Sequence, residues 1–96
     1  MDINMLRKDV TADAATEFAF QTACCDFLVK NMTDGDVYVA FGDVPDSKDD
    51  MLLIPEGTWQ RHLCRTADGG LASCKSVFVI GTGSTGKGVE VECLKW

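Results

Sequence analysis

Alternation of apolar and polar side chains with a period of two is the feature that most constrains the fold of this chain. In one early segment every second residue is a phenylalanine or a threonine, namely Thr16, Phe18, Phe20 and Thr22. Near the C-terminus, Val89, Val91 and Cys93 alternate with Glu90 and Glu92. Because successive side chains of a strand point to opposite faces, both segments indicate half-buried β-strands. The two glutamates are expected to face water and keep a sheet edge soluble.

Turn signals divide the rest of the chain into further short strand segments. Seven segments have strand character: residues 16–22, 26–31, 37–41, 51–54, 58–65, 75–81 and 88–96. An Asp-Gly pair lies within Met32–Asp36 and favours a tight hairpin between the second and third segments. Segment 75–81 is apolar on both parities, which indicates a central strand. In the last segment the parity changes at Leu94 and Trp96, which indicates a β-bulge.

These patterns predict an all-β fold, a compact antiparallel sandwich or barrel of about seven strands. With 96 residues the chain has room for one domain. We expect this domain to span residues 15–96. Residues 1–14 lack a clean period and are expected to form an N-terminal arm, either mobile or a strand that pairs only in an oligomer. The best helix candidate is Ala12–Ala19, which has the length of one or two turns.

Charge and cysteine usage restrict the partners and the compartment. The net charge is −6, and the nine basic residues are scattered, which argues against a nucleic-acid partner and against a basic membrane-binding face. The N-terminus has no apolar run of the kind that makes a secretory signal, so we expect a reducing cytoplasm. The odd number of cysteines predicts reduced and mostly buried thiols at Cys24, Cys25, Cys64, Cys74 and Cys93.

The segment Gly81–Gly88 matches two phosphate-binding patterns, G-x-G-x-x-G and G-x-x-x-x-G-K with Lys87. Both mechanisms need a helix directly after the loop, since its N-terminal N–H groups hold the phosphate. A strand pattern follows instead, and Gly88 replaces the Ser or Thr that would bind Mg²⁺. We therefore interpret this segment as a glycine-rich hairpin turn.

No other constellation predicts a catalytic, cofactor or metal site. His62 and Cys64 lie two residues apart, but the spacing to the other cysteines matches no zinc or nucleophile pattern. The carboxylates of the acidic loop, Asp43, Asp46, Asp49 and Asp50, lack the order of a calcium-binding loop. Large rings ordinarily pack in the core, and an interface role is the alternative for Tyr38, Trp59 and Trp96.

Three segments together resemble a known class of protein. They are Phe27–Phe41 with its "VKN-x-T-x-GD-x-YV" pattern, the "IP-x-G" turn at Ile54–Gly57, and Val79–Leu94 with its glycine-rich turn and "VEV". Over residues 24–96 the chain resembles small β-sandwich proteins of phage and prophage structural gene clusters, of the head-fibre, decoration or connector-accessory type.

The resemblance implies a non-enzymatic structural or assembly protein, located in the bacterial host cytoplasm or in the virion. Its partners would be further copies of itself or phage capsid or tail proteins, without nucleic acid or membrane. A small binding module for carbohydrate or peptide is the alternative. Exposure of Tyr38, Trp59 or Trp96 on one patch would favour that alternative.

Overall fold

The computed structural model describes residues 4–82 and 86–95, and within them the chain forms eight β-strands. One turn of 3-10 helix, Lys48–Asp50, interrupts the acidic loop. The strands are β1 (Met5–Lys8), β2 (Ala15–Cys24), β3 (Asp26–Thr33), β4 (Val37–Phe41), β5 (Leu52–Ile54), β6 (Trp59–Leu63), β7 (Cys74–Gly81) and β8 (Gly86–Lys95). The prediction of an all-β antiparallel fold is confirmed.

The strands form two separate four-stranded antiparallel sheets, so the fold is a sandwich. Sheet A has the order β1-β8-β3-β6, and sheet B has the order β2-β7-β4-β5. The chain changes sheet at almost every connection, and of the eight described strands only β4 and β5 are consecutive in sequence and paired in space. The predicted hairpin between 26–31 and 37–41 is therefore wrong, and so is the hairpin of the glycine-rich segment. In both cases the turn carries the chain from one sheet to the other.

Asn31 explains how the turn after β3 leaves its sheet. This fully buried side chain donates from its amide to the carbonyl oxygens of Gly35 (2.9 Å) and Ile54 (3.0 Å). Its own carbonyl oxygen accepts the backbone N–H of Thr33 at 3.0 Å and the Thr33 hydroxyl at 2.7 Å. These bonds satisfy backbone groups that a hairpin ladder would otherwise pair, and they tie the turn to β5 in the opposite sheet.

The core lies between the sheets and follows the predicted parities. Fully buried side chains come from both layers, among them Phe18, Phe27, Val29, Val37, Val77, Val79, Val89 and Val91. Segment 75–81, which is apolar on both parities, lies in β7, and β7 is a central strand between β2 and β4. The predicted bulge is present as well, since Phe27 pairs with Cys93 while Asp26 pairs with Lys95, which leaves Leu94 as the extra residue.

The N-terminal segment differs from the predicted arm. Met5–Lys8 forms β1 and pairs with β8 of the same chain, and Val10 is buried in the core. The segment offered as a helix, Ala12–Ala19, contains no helix, because β2 begins at Ala15. Gly88 allows β1 to approach closely: it has a φ of +84°, and a Cβ there would stand 2.5 Å from the carbonyl oxygen of Lys8. A strand of four residues is too short to show a period of its own.

A disulfide joins Cys24 of β2 to Cys93 of β8 and so links the two sheets. This corrects the prediction that all five cysteines are reduced. The two residues are 69 positions apart in sequence, yet the fold brings their Cα atoms to 6.1 Å, within the range that a disulfide spans. In the chain-entropy description, closing a loop of this length stabilises the folded state by roughly 4 kcal/mol. The other three cysteines, Cys25, Cys64 and Cys74, are free thiols.

Candidate functional site

The outer face of sheet A carries a row of side chains that crosses all four strands. The register places Arg7 of β1 beside Glu90 of β8, Glu90 beside Lys30 of β3, and Lys30 beside Trp59 of β6. We call these four residues the Trp59 row. Cross-strand neighbours on one face lie close enough for their side chains to interact, so the row acts as one connected unit.

Charge and aromatic contacts hold the Trp59 row together. Glu90 is only 5% exposed, and its carboxylate oxygens lie 3.2 Å from the Arg7 guanidinium and 3.2 Å from the Lys30 ammonium. The Lys30 ammonium in turn lies 4.6 Å from the centre of the Trp59 ring, a cation–π contact. Trp59 is nevertheless 62% exposed, more than any other large apolar side chain within the described residues. The row therefore positions a large ring that remains accessible to a partner.

The expectation that Glu90 keeps a sheet edge soluble is wrong. β8 lies inside sheet A between β1 and β3, so Glu90 is covered on both sides by basic side chains. Sequence reasoning missed Arg7, Lys30 and Glu90 as a group because they are far apart in the chain and only the pairing of strands brings them together.

A second ion pair lies beside the row. The Arg61 guanidinium of β6 donates from Nε to Oδ1 of Asp26 at 3.0 Å and from Nη2 to Oδ2 of the same carboxylate. These bonds from Arg61 hold the pKa of Asp26 below its usual value, against the opposing effect of burial. The Asp26 side chain is 5% exposed and the Arg61 side chain 69% exposed. As in the row, the acid is covered and the cation faces water.

The backbone of β6 is open along one edge. Among the described strands β6 pairs only with β3, and the bonds Asn31 N–H to Thr58 O and Cys64 N–H to Cys25 O show that even-numbered residues of this segment face β3. In an antiparallel pair such bonding alternates, so the backbone groups of Trp59, Arg61 and Leu63 point to the open side. The side-chain amide of Gln60 donates to the Arg61 carbonyl at 3.1 Å and partly covers this edge.

A groove of about 320 Å³ lies on the inner side of β6, next to the acidic loop. Its floor includes Phe41 and His62, whose rings stack with centres 4.2 Å apart, and Asp43 and Asp50 also line it. Burial lowers the pKa of His62, and the nearby Asp26 charge partly opposes this effect. The neutral imidazole therefore behaves mainly as a flat ring that packs on Phe41.

The predicted interface rings do not share one patch. Trp59 lies on the outer face of sheet A, whereas Tyr38 lies on the outer face of sheet B beside Leu53 and is half-buried with Lys48 over its ring at 5.5 Å. Trp96 lies outside the described residues. Lys87 belongs to β8, but its side chain also lies outside what is described, as do residues 83–85 of the glycine-rich segment.

The residues weighed as chemical sites lie in two regions, the acidic loop of residues 43–50 and the end of the sandwich that carries the cysteines. Within residues 4–82 and 86–95, no group of three or more His, Cys, Asp or Glu side chains has an arrangement that could hold a metal ion. Cys64 is buried, and burial, together with the neighbouring Cys74, raises the pKa of its thiol to about 12. A thiol in that environment is a poor nucleophile at neutral pH.

Comparison with known proteins gives this chain no family. Among the described residues, no helix is long and apolar enough to cross a membrane. No protein-family model matches the sequence, and neither a curated protein nor a solved structure matches it.

Proposed function

We propose that this chain is a non-enzymatic structural protein that assembles with further copies of itself through the outer face of sheet A. The observation that carries the proposal is Trp59, a ring that is 62% exposed yet held in place by the Lys30 ammonium. Exposed aromatic anchors fixed by their neighbours are typical of the residues that contribute most to protein–protein binding.

Charge complementarity supports a second copy as the partner. On the outer face of sheet A the carboxylates of Glu90 and Asp26 are covered, while the guanidinium groups of Arg7 and Arg61 are exposed. The loop of residues 43–50 presents the opposite charge, because its exposed aspartates are Asp43, Asp46, Asp49 and Asp50. One copy can therefore offer its acidic loop to the exposed guanidinium groups of the next. Such a head-to-tail contact builds rings or filaments, as a particle component requires.

The setting in a phage particle is part of the proposal and rests on the resemblance of residues 24–96. The Cys24–Cys93 disulfide favours the virion over a reducing cytoplasm as the final location, because disulfides persist in oxidising surroundings, including virion surfaces.

The test is the molar mass of the full chain by light scattering at several protein concentrations and two salt concentrations. We expect an assembly larger than the 10.4 kDa chain, a discrete multiple for a ring and a broad distribution for a filament, that dissociates at high salt, since salt screens exposed charges. Trp59→Ala should shift the species to monomer. Leu53→Ala is the matched control, because Leu53 is 48% exposed on the outer face of sheet B, and it should leave the mass unchanged. A monomer at every concentration would refute self-assembly.

A module that binds a peptide strand is the second candidate, favoured by the open edge of β6. The outward backbone groups of Trp59, Arg61 and Leu63 can pair with an added strand, and the neighbouring groove can accept one of its side chains. A monomer whose β6 amides become protected from hydrogen exchange by an added peptide would support this function. Carbohydrate binding is less well supported, since Trp59 and Tyr38 lie on opposite faces.

A further inference from the structure

The five cysteines come together at one end of the sandwich. Cys24 and Cys93 form the disulfide between the sheets, and Cys74 of β7 lies directly opposite Cys24 in the register of β2 and β7. Cys64 follows β6, and its backbone N–H donates to the carbonyl of Cys25 at 2.7 Å. Three thiols therefore surround one disulfide, although they are dispersed in the sequence.

The side chains of Cys64 and Cys74 are neighbours within this cluster. Each affects the pKa of the other thiol: Cys74 raises that of Cys64, and Cys64 partly offsets the rise that burial causes at Cys74. The connection between β6 and β7 is closed by a bridge between Arg65 and Leu71 and by a bond from the Ala72 N–H to the Cys64 carbonyl, which fixes both ends of the loop. The third thiol, Cys25, points its hydrogen elsewhere, toward the carbonyl of Lys95 at 3.7 Å.

We propose that Cys64 and Cys74 are the site of a second disulfide, which forms when the folded protein meets a small disulfide oxidant such as oxidised glutathione. Cys25 then remains as the single free thiol. The inference does not depend on the proposed function.

The order of the two exchange steps follows from exposure. Cys74 is half-buried and Cys64 is buried, so the oxidant reaches Cys74 first. Burial raises the pKa of Cys74, but the neighbouring Cys64 partly offsets this effect. The Cys74 thiolate attacks one glutathione sulfur and forms a mixed disulfide, and the released glutathione thiolate takes up the proton that Cys74 lost.

The second step completes the bond inside the protein. The Cys64 sulfur attacks Cys74 Sγ, the bond between Cys74 and glutathione breaks, and the second glutathione leaves with the proton from Cys64. The raised pKa of Cys64 slows this attack, but its position beside Cys74 makes the step intramolecular. In total two protein thiols are oxidised to one disulfide, and one glutathione disulfide is reduced to two glutathione thiols. The new bond ties the end of β6 in sheet A to the start of β7 in sheet B.

Peptide mapping of the full-length folded protein tests this assignment directly. The protein is incubated with or without oxidised glutathione, denatured in an alkylating reagent and digested with trypsin. Cleavage after Arg61, Arg65 and Lys75 places Cys64 in peptide 62–65 and Cys74 in peptide 66–75, apart from peptide 9–30 with Cys24 and Cys25. We expect oxidation to lower the number of alkylated cysteines from three to one and to link peptide 62–65 to peptide 66–75.

Two variants control the mapping. Cys25→Ser should still form the linked pair of peptides, whereas Cys74→Ser should leave Cys64 alkylated after the same treatment. The inference is overturned if three cysteines remain alkylated in the oxidised wild-type protein. The inference is also overturned if peptide 62–65 or peptide 66–75 is linked to peptide 9–30. Such a link would show that Cys64 pairs with Cys25 or that Cys74 exchanges with Cys24.

Discussion

Replacing Gly88 by alanine should destabilise the protein by loosening β1 from sheet A. Gly88 has a φ of +84°, a conformation that costs a residue with a Cβ roughly 1 kcal/mol. The added Cβ would also stand 2.5 Å from the carbonyl oxygen and 3.0 Å from the carbonyl carbon of Lys8, and these are backbone atoms that cannot rotate away. The Lys8 backbone must therefore move, and with it the short strand that contains it.

The second contribution can be estimated from what β1 covers. Leu6 packs against the core and Val10 is buried just after the strand. Uncovering half of one such side chain costs roughly 1–1.5 kcal/mol, so Gly88→Ala should lower the free energy of unfolding by roughly 2–2.5 kcal/mol in total. Gly57→Ala is the matched control, because Gly57 has a φ of +71° but nothing within 4 Å of its Cβ position. Gly57→Ala should therefore lower the free energy of unfolding only by the cost of a positive φ, roughly 1 kcal/mol.

The assay is equilibrium urea unfolding followed by circular dichroism, with amide hydrogen exchange on the folded variants. Gly88→Ala should lower the unfolding free energy more than Gly57→Ala does and speed the exchange of the β1 amides. Equal losses in the two variants, within roughly 0.5 kcal/mol, would refute the reasoning. So would unchanged protection of β1 in Gly88→Ala, because the clash with Lys8 would then have been relieved without moving the strand.

Three further changes test other parts of the fold. Asn31→Asp removes both hydrogen bonds that the buried amide donates, so it should lower the free energy of unfolding, measured in urea at pH 7, by roughly 3 kcal/mol. This stability should recover as the pH falls and the new carboxyl group is protonated. If it does not recover, the assigned bonds are wrong. Loss of the Cys24–Cys93 disulfide in a Cys24→Ala, Cys93→Ala double variant should lower the free energy of unfolding by roughly 2–4 kcal/mol. A double variant as stable as the wild type would contradict this prediction. Because the pKa of His62 is lowered in the folded state, its contribution to stability is complete above its unfolded value of 6.5 and is lost as the pH falls through the folded value. His62→Phe keeps the stack on Phe41 and should flatten the fall in stability between pH 7 and pH 5, whereas an unchanged slope would assign the effect to another group.

Strand positions and inward faces were predictable because they depend on local periodicity. Val89 and Val91 are buried in the sandwich as their parity indicated, and the parity change at Leu94 marked a true bulge. These features depend only on which face of one strand a side chain occupies. No information about the partner strand is needed to derive them.

Strand partners were not predictable, because turn residues constrain the local backbone and not its neighbours. The Asp-Gly pair in Met32–Asp36 is compatible with a hairpin, but the bonds from Asn31 to Gly35 and Ile54 direct the chain into the other sheet. An asparagine at the end of a strand gives no sequence signal for a carbonyl 23 residues away. The Cys24–Cys93 disulfide was missed for the same reason, since it depends on the approach of strands from two sheets.

The charge of the candidate surface shows where composition misleads. A net charge of −6 predicts an acidic exterior, yet the sign of a local surface depends on which member of each ion pair is covered. On sheet A the Glu90 and Asp26 side chains are 7% and 5% exposed, whereas their partners Arg7 and Arg61 are 58% and 69% exposed. In both pairs the guanidinium donates to the buried carboxylate, while most of the long arginine side chain stays in water. On the outer face of sheet A each of these two ion pairs therefore turns its cationic member to water, although the chain as a whole is acidic.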